Sequence, residues 1–276
     1  MDLLSYWNLR ERPFEATWDT RFFYQSHDHD EALSRLGFLV GEETMLFGLL
    51  TGEIGCGKTL TRAVFAERLQ TDRFQVVVQE NSGFSFRDLL AAVLKNLNGE
   101  VTPASGRTKY ARCEQLLETA EKIRAARRHL VLIFDEAQEM SPRTLNELKL
   151  LTNLNGAGRN YLTIILVGQP ELRQHVAQLP QINQRVSLRF HLKRLDGGAA
   201  TEYVRHRLRV AGHPDGNLFT GEAMERAFEA SHGVPRELNR IAKLALEHAW
   251  LKGYPNVPLV SVSAVLRDLE RQLLAA

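Results

Sequence analysis

The residues of this chain whose spacing best suits chemistry form a glycine-rich loop, which reads Gly52-Glu53-Ile54-Gly55-Cys56-Gly57-Lys58-Thr59. They match the pattern G-x-x-x-x-G-K-[ST], in which main-chain N–H groups surround the phosphates of a nucleoside triphosphate. We expect Lys58 to reach the β- and γ-phosphates and the Thr59 hydroxyl to hold Mg²⁺. The predicted contacts run from Gly52 through Leu60, and the predicted cofactors are ATP and Mg²⁺. The alternative is a chance glycine-rich turn before a helix.

A pair of acids follows an unbroken apolar segment, residues 130–134. A strand buried on both faces delivers its next residues to the carboxyl edge of a parallel sheet, where ligands bind. Asp135 would then assist Mg²⁺, and Glu136 would act as the general base that polarises the attacking water. Two surface acids in a loop are the alternative. Together with the glycine-rich loop, the acid pair favours hydrolysis over nucleotide storage.

The elements that must position these groups alternate between apolar strands and helices, which is typical of a parallel sheet covered on both faces. Predicted strands are residues 45–50, 75–79, 130–134, 161–167 and 187–192, with helices at 27–40, 59–69, 86–97, 111–126 and one opening at Ser141-Pro142. After Leu195 only helices are predicted, at residues 197–210, 221–231, 236–251 and 261–273. We therefore predict an α/β fold, a parallel-sheet αβα domain followed by a small all-helical lid.

Three segments follow from this pattern: an aromatic strap with the first helix (1–40), the nucleotide-binding core (41–195) and the helical lid (196–276). The strap, residues 6–24, is rich in aromatic side chains and is predicted to pack on the body of the protein. His27-Asp28-His29-Asp30 resembles a string of metal ligands, but we interpret it as a helix cap before Ala32.

The overall composition is that of a globular protein that needs no disulfides. The 276 residues are 44% apolar and 25% charged, with a net charge of +2. Cys56 and Cys113 form neither a disulfide framework nor a zinc motif. No apolar run approaches the roughly 18 residues of a membrane span, and no signal peptide is recognisable at the start. We expect a cytoplasmic protein, peripheral to the inner membrane only through a partner.

The chain resembles the AAA+ superfamily, and within it the ExeA/GspA-type ATPases of secretion systems. The resemblance covers nearly the whole chain. It is carried by the glycine-rich loop and by the segments Trp7-Asn8-Leu9-Arg10-Glu11-Arg12-Pro13-Phe14, Arg21-Phe22-Phe23-Tyr24, Phe134-Asp135-Glu136-Ala137-Gln138, Leu166-Val167-Gly168-Gln169-Pro170-Glu171-Leu172, Gln184-Arg185-Val186 and Gly233-Val234-Pro235-Arg236-Glu237-Leu238-Asn239.

This resemblance implies further roles at matching positions. Gln169 would be sensor 1, which contacts the γ-phosphate or the water, and Arg236 would be sensor 2 in the lid. Arg185 would be an arginine finger that acts on the nucleotide of a neighbouring subunit, with Arg189 as the competing candidate. A surface arginine is the alternative in each case. The implied assembly is a homo-oligomer, as a ring or helical filament. The strap would lie against the adenine, serve as a hydrophobic staple, or do both.

Two kinds of function fit this resemblance. The first is an ATPase that remodels a secretion or envelope-assembly complex through a protein partner. Full-length secretion members carry a membrane span and a peptidoglycan-binding region after the ATPase part; these 276 residues show neither, so a direct cell-wall role is not expected. The second is a DNA-binding regulator similar to TnsC-like transposition ATPases. A nucleotide-gated scaffold with slow turnover is a third alternative.

Double-stranded DNA would meet basic residues near the pore of an AAA+ ring. Arg87, Arg107 and Lys109 are the candidates, with Phe84 and Phe86 beside them, and such binding would be sequence-independent and sensitive to salt. The alternative is that both phenylalanines belong to the core and that the charges are solvated. A further basic stretch, residues 205–209, is predicted to form the solvated face of a helix.

Overall fold

The structure is a computed structural model that describes residues 2–99, 108–156 and 159–274. The described residues form two compact units. The sheet unit comprises residues 27–54 and 61–192, and the helical unit comprises the described parts of residues 1–26, 55–60 and 193–276. The strap therefore groups with the C-terminal helices, whereas the first long helix groups with the sheet.

The sheet unit is built on a parallel sheet of five strands in the order β2-β3-β6-β1-β7. These strands are β1 (Phe47–Gly52), β2 (Phe74–Gln79), β3 (His129–Phe134), β6 (Leu162–Gly168) and β7 (Val186–Leu192). Every residue of β1, β3 and β6 is buried, as their unbroken apolar runs predict. The predicted fold class is confirmed. A short antiparallel pair, β4 (Asn155–Gly156) and β5 (Arg159–Asn160), lies outside this sheet.

The edge strand β2 differs from its prediction as a buried strand. Val77 is the one residue of β2 that is fully buried, and the other five are half-buried. The reason is position: β2 pairs with β3 on one side and has no strand of this sheet on the other. An apolar run alone does not distinguish a central strand from an edge strand.

Three helices of the sheet unit begin at a side-chain cap, supplied by Ser85, Thr108 and Ser141. The helices of this unit are α2 (His27–Gly41), α3 (Lys58–Arg68), α4 (Phe86–Asn98), α5 (Lys109–Ala125), α6 (Pro142–Glu147), α7 (Glu171–Ala177) and α8 (Pro180–Asn183), with 3₁₀ turns at Ala137–Glu139 and Leu148–Asn153. The first residues of α3 belong to the helical unit. Ser141 caps α6 by accepting a hydrogen bond from the Thr144 N–H, with Pro142 at the first position. The interpretation of residues 27–30 as a cap is wrong, because α2 already begins at His27.

The helical unit contains α1 (Leu3–Tyr6), a 3₁₀ turn at Thr20–Phe22, α9 (Gly197–Val210), α10 (Gly221–Ser231), α11 (Pro235–Leu251) and α12 (Leu259–Leu274). Four strap side chains, Trp7, Leu9, Phe14 and Phe22, are buried in one apolar cluster with the C-terminal helices. The Trp7 indole N–H donates to the main-chain carbonyl of Leu246 at 3.3 Å. Burial of aromatic side chains of this size contributes roughly 1.5–3 kcal/mol each. These four residues thus act as the hydrophobic staple.

Arg207 corrects the prediction that residues 205–209 form a solvated helix face. Its side chain is only 4% exposed. Its guanidinium donates to the Pro13 carbonyl at 2.5 Å, to the Glu15 carbonyl at 2.9 Å and to the Tyr203 hydroxyl at 3.1 Å. An irregular strap has main-chain carbonyls that no ladder satisfies, and a buried arginine can supply the donors.

Across the described residues, none of the helices combines the length and hydrophobicity needed to cross a lipid bilayer.

Candidate nucleotide site

The candidate site lies at the carboxyl edge of the parallel sheet. Strand β6 pairs with β1 on one side and with β3 on the other, and Thr51 is in register with Gly168. Because parallel strands end at a common edge, Gly52, Gln169 and the acid pair all leave the sheet on the same side. This edge is where the sequence predicts nucleotide chemistry.

Two glycines give the phosphate loop its shape. Gly55 and Gly57 have φ values of +82° and +92°, in the left-handed region that favours glycine. The loop leads directly into α3, which begins at Lys58. Main-chain N–H groups in such a turn, followed by a helix N-terminus, suit a bound phosphate.

Within the helical unit, the phosphate loop contacts the start of α11. The main-chain N–H of Arg236 donates to the carbonyl of Gly55 at 3.3 Å. A Cβ on Gly55 would lie 2.8 Å from the Cβ of Arg236, so glycine is required there for close approach as well as for its φ. Pro235 occupies the first turn of α11, as predicted, and the Arg236 side chain is exposed.

Asp135 is held in a buried network at the end of β3. It is 2% exposed, and its Oδ1 accepts the N–H of Glu136 at 2.9 Å. Its main-chain carbonyl accepts the Ser82 hydroxyl at 2.5 Å. Its Oδ2 lies 3.0 Å from Nε of Arg62, whose side chain is also buried and reaches Glu80 at 3.3 Å. A buried carboxylate requires such a partner, because an unpaired charge is costly inside a protein.

Glu136 has an unusual backbone and a fixed side chain. Its φ of 49° and ψ of 38° place it in the left-handed region, which is uncommon for a residue other than glycine and typical of functional sites. Its Oε2 accepts a hydrogen bond from Nε2 of Gln138 at 2.6 Å. The Oε1 atom of Gln138 accepts the main-chain N–H of Gln169 at 3.0 Å. One amide therefore joins the two loops that follow β3 and β6.

The two candidate arginine fingers flank the start of β7. Arg185 donates to the carbonyl of Gln181 at 2.7 Å. Arg189 donates to the carbonyl and the side-chain oxygen of Asn183, at 2.9 and 2.7 Å. Both guanidiniums thus bind oxygens of the segment that precedes β7, and Arg189 is the more exposed of the two.

The predicted DNA contacts differ in their surroundings. Arg87 is exposed in the first turn of α4, and Phe84 just before it is 47% exposed. Phe86 is buried in the core on the inward face of α4, which confirms the core alternative for this residue but not for Phe84. Lys109 pairs with Glu147 at 2.8 Å, and this hydrogen bond raises the pKa of the lysine. Arg107 lies outside the described residues.

The residues present fit a magnesium–triphosphate group. The loop glycines adopt the positive φ that a phosphate-binding turn uses, and a lysine supplies an ammonium at the loop's end. Thr59 and Asp135 offer the hydroxyl and carboxylate oxygens that Mg²⁺ prefers.

Residues 42–176 match the family described as the AAA domain. General secretion pathway protein A of Aeromonas hydrophila is 35% identical over 254 residues, which cover 90% of this chain and 45% of that protein. An AAA domain therefore accounts for residues 42–176, and the chain is similar to general secretion pathway protein A. The chain spans less than half the length of the relative that it matches.

Solved structures share its fold. The Aeropyrum pernix ORC2 protein in its ADPNP–ADP complexes superposes with a TM-score of 0.69 at 16% identity, over 91% of this chain and 70% of that one. The Aeropyrum pernix ORC1 protein in complex with DNA gives a TM-score of 0.65 at 16% identity, over 90% of this chain and 67% of that one. At these identities the likeness of the chain to both proteins concerns the fold alone.

Sequence reasoning missed two residues that contact the acid pair, Arg62 and Gln138. Arg62 follows Lys58 by one helical turn, a spacing that places both side chains on the same face of α3. Gln138 stands two residues after Glu136 and was noted only as part of a family motif. A polar residue so close to a predicted base is the signal that could have identified Gln138.

Proposed function

We propose that this AAA+ ATPase hydrolyses MgATP at the edge of its sheet and uses its nucleotide state to assemble on, and remodel, a partner complex. The observation that supports this most strongly is the arrangement of Glu136. Its carboxylate is fixed by Gln138 next to the buried Asp135, on the same sheet edge from which the phosphate loop leaves.

Binding is assigned to the loop and its flanking residues. The main-chain N–H groups and the Lys58 ammonium would hold the phosphates, and Thr59 with Asp135 would hold Mg²⁺. When bound, Mg²⁺ neutralises charge on the phosphate oxygens. Arg62 pairs with the Asp135 carboxylate in a buried position, with its Nε 3.0 Å from Oδ2.

Hydrolysis follows from the position of the base. Glu136 accepts a proton from water while the water oxygen attacks the γ-phosphorus, and the bond between that phosphorus and the bridging oxygen of ADP breaks. Gln169 orients the water or the γ-phosphate. Arg236 and, from a neighbouring subunit, Arg185 stabilise the negative charge that spreads over the transferring group.

The proposed finger predicts rescue between subunits. Arg185→Ala should lose most ATPase activity alone, yet regain some when mixed with Glu136→Gln, because the latter brings an intact finger to a subunit with an intact base. Arg189→Ala serves as the matched control. Mixtures that show no more activity than the two variants separately would indicate a structural arginine.

The proposed partner belongs to a secretion or envelope-assembly complex, with the ATPase at the inner membrane through that partner. The support is the 35% identity to general secretion pathway protein A. Assembly is tested by light scattering after size-exclusion chromatography of the Glu136→Gln variant. We expect large species with ATP and smaller ones with ADP; one mass in every nucleotide state would contradict nucleotide-controlled assembly.

DNA is the second candidate partner. Phe84 and Arg87 are both exposed at the turn into α4, an aromatic and a cation that suit a nucleic-acid strand. Binding to double-stranded DNA should be measured with and without ATP at two salt concentrations. ATP-dependent binding that weakens with salt supports DNA regulation, and Arg87→Gln should then reduce it. No binding in either nucleotide state favours the secretion role.

A further inference from the structure

From the contacts of one side chain we infer that Gln138 is a positioning residue: it aims the Glu136 carboxylate and couples that aim to the main chain of Gln169. The inference rests on the proposed role of Glu136 as the base. If Gln169 contacts the γ-phosphate, Gln138 would link that contact to Glu136, the group that activates water.

The orientation of the Gln138 amide follows from its two partners. A main-chain N–H can only donate, so the atom 3.0 Å from the Gln169 nitrogen is the side-chain oxygen. The amide nitrogen therefore faces Glu136, and it donates to Oε2 at 2.6 Å. A carboxylate can only accept, so both ends of the amide are matched and a flipped amide would lose both bonds.

Glu136 and Gln169, the two residues that Gln138 contacts, both show why a side chain is needed between them. Glu136 is half-buried and its side chain has several rotatable bonds, so an unheld carboxylate would sample other rotamers. Gln169 follows the last residue of β6, where the ladder no longer supplies an acceptor for its N–H. Gln138 satisfies both groups with one side chain.

The packing around Gly168 shows that space is reserved for this amide. A Cβ at residue 168 would lie 2.6 Å from Oε1 of Gln138 and 2.9 Å from Cδ2 of Leu172. Any side chain there would displace the amide from the Gln169 N–H. The bridge therefore depends on three positions: the amide itself, the acid that it holds and the glycine that leaves it room.

A mutational test separates positioning from folding. Gln138→Met keeps the length and shape of the side chain and removes both hydrogen bonds. We expect kcat for ATP to fall by on the order of tenfold to a hundredfold, with KM and nucleotide affinity within about twofold, because the phosphate loop is untouched. Gln174→Met, the same exchange at an exposed position of α7, is the matched control and should leave kcat unchanged.

The decisive measurement repeats Gln138→Met in the Glu136→Gln background. A residue that acts through Glu136 has nothing left to position, so the double variant should turn over at the rate of Glu136→Gln alone. An equal fractional loss in both backgrounds, or an unchanged kcat in the single variant, overturns the inference. A Glu136→Gln variant with normal turnover overturns instead the proposed function, so the two failures are distinguishable.

Gln138→Glu provides a second variant of nearly identical shape should Gln138→Met fold poorly. It keeps an acceptor for the Gln169 N–H but sets a second carboxylate against Glu136, and like charges so close disfavour the ionised pair. We expect a larger loss of kcat than for Gln138→Met, with thermal unfolding unchanged by more than a few degrees. Wild-type turnover in this variant would also overturn the inference.

Discussion

Two arginines of almost equal burial, one in each unit, have different partners. Arg62, 5% exposed, lies against the carboxylates of Asp135 and Glu80 at the carboxyl edge of the sheet. Arg207, 4% exposed, donates to neutral carbonyls of the strap and to a tyrosine hydroxyl. The first pairs with the carboxylate that we propose as a Mg²⁺ ligand, and the second fastens chain segments together. Burial alone therefore does not identify a functional arginine; the charge of its partners does.

The largest expected effect is at the phosphate loop. Lys58→Ala should abolish measurable nucleotide binding, because it removes the ammonium predicted to contact the β- and γ-phosphates. Titration calorimetry with ATP checks this, with thermal unfolding as the control for folding. Unchanged affinity for ATP would contradict the assignment of the glycine-rich loop as the phosphate-binding site.

Next comes the base. Glu136→Gln should bind ATP with near-normal affinity and hydrolyse it about 10²- to 10⁴-fold more slowly, the usual contribution of a general base. Single-turnover measurement of phosphate release checks the rate. The isosteric exchange leaves the side-chain shape unchanged, so normal turnover would place the base elsewhere.

The two arginines themselves provide the most direct test of the comparison. Arg62→Met should cost about 3–5 kcal/mol of unfolding free energy, because it leaves the buried Asp135 charge without its partner, and it should also lower kcat. Arg207→Met should cost about 2–3 kcal/mol through unsatisfied carbonyls, with kcat per folded molecule unchanged. Urea unfolding and ATPase rates on the same samples measure both. Equal effects of Arg62→Met and Arg207→Met on kcat would contradict the proposed difference between the two arginines.

The smallest expected effect lies at the opposite end of β3 from Glu136. Burial lowers the pKa of His129 to about 4, with a smaller opposing influence from Glu43. A lowered pKa means that, as the pH falls, the unfolded chain binds the proton before the folded chain does. The free energy of unfolding is therefore highest above about pH 6.5 and falls as the pH drops towards 4. The loss is of order 1–3 kcal/mol.

His129→Leu should flatten this pH dependence of unfolding between pH 6.5 and 4 while ATP turnover at pH 7.5 stays within about twofold. Thr163, whose hydroxyl lies 2.9 Å from the histidine Nε2, offers a control: Thr163→Val removes that contact but keeps the titrating ring. A pH slope that persists in His129→Leu would assign it to other groups.

Much of the fold could be predicted because its signals are local. Unbroken apolar runs identified the central strands, and Ser141-Pro142 and Pro235 marked helix starts correctly. The burial of Arg207 could not be predicted, since its partners Pro13 and Glu15 lie more than 190 residues away in sequence. Likewise, the contact of Gln138 with Gln169 exists only because β3 and β6 are neighbours. Roles of the sensors and the finger stay predictions.

The bond between the Arg236 N–H and the Gly55 carbonyl joins two main-chain atoms. Neutral substitutions other than proline remove the positive charge at residue 236 but keep its N–H and leave that hydrogen bond intact. Proline alone would delete it. The electrostatic and main-chain contributions of this one residue can therefore be varied separately, and a neutral Arg236→Gln variant that still changes conformation on ATP binding would show that the guanidinium is not required for that change.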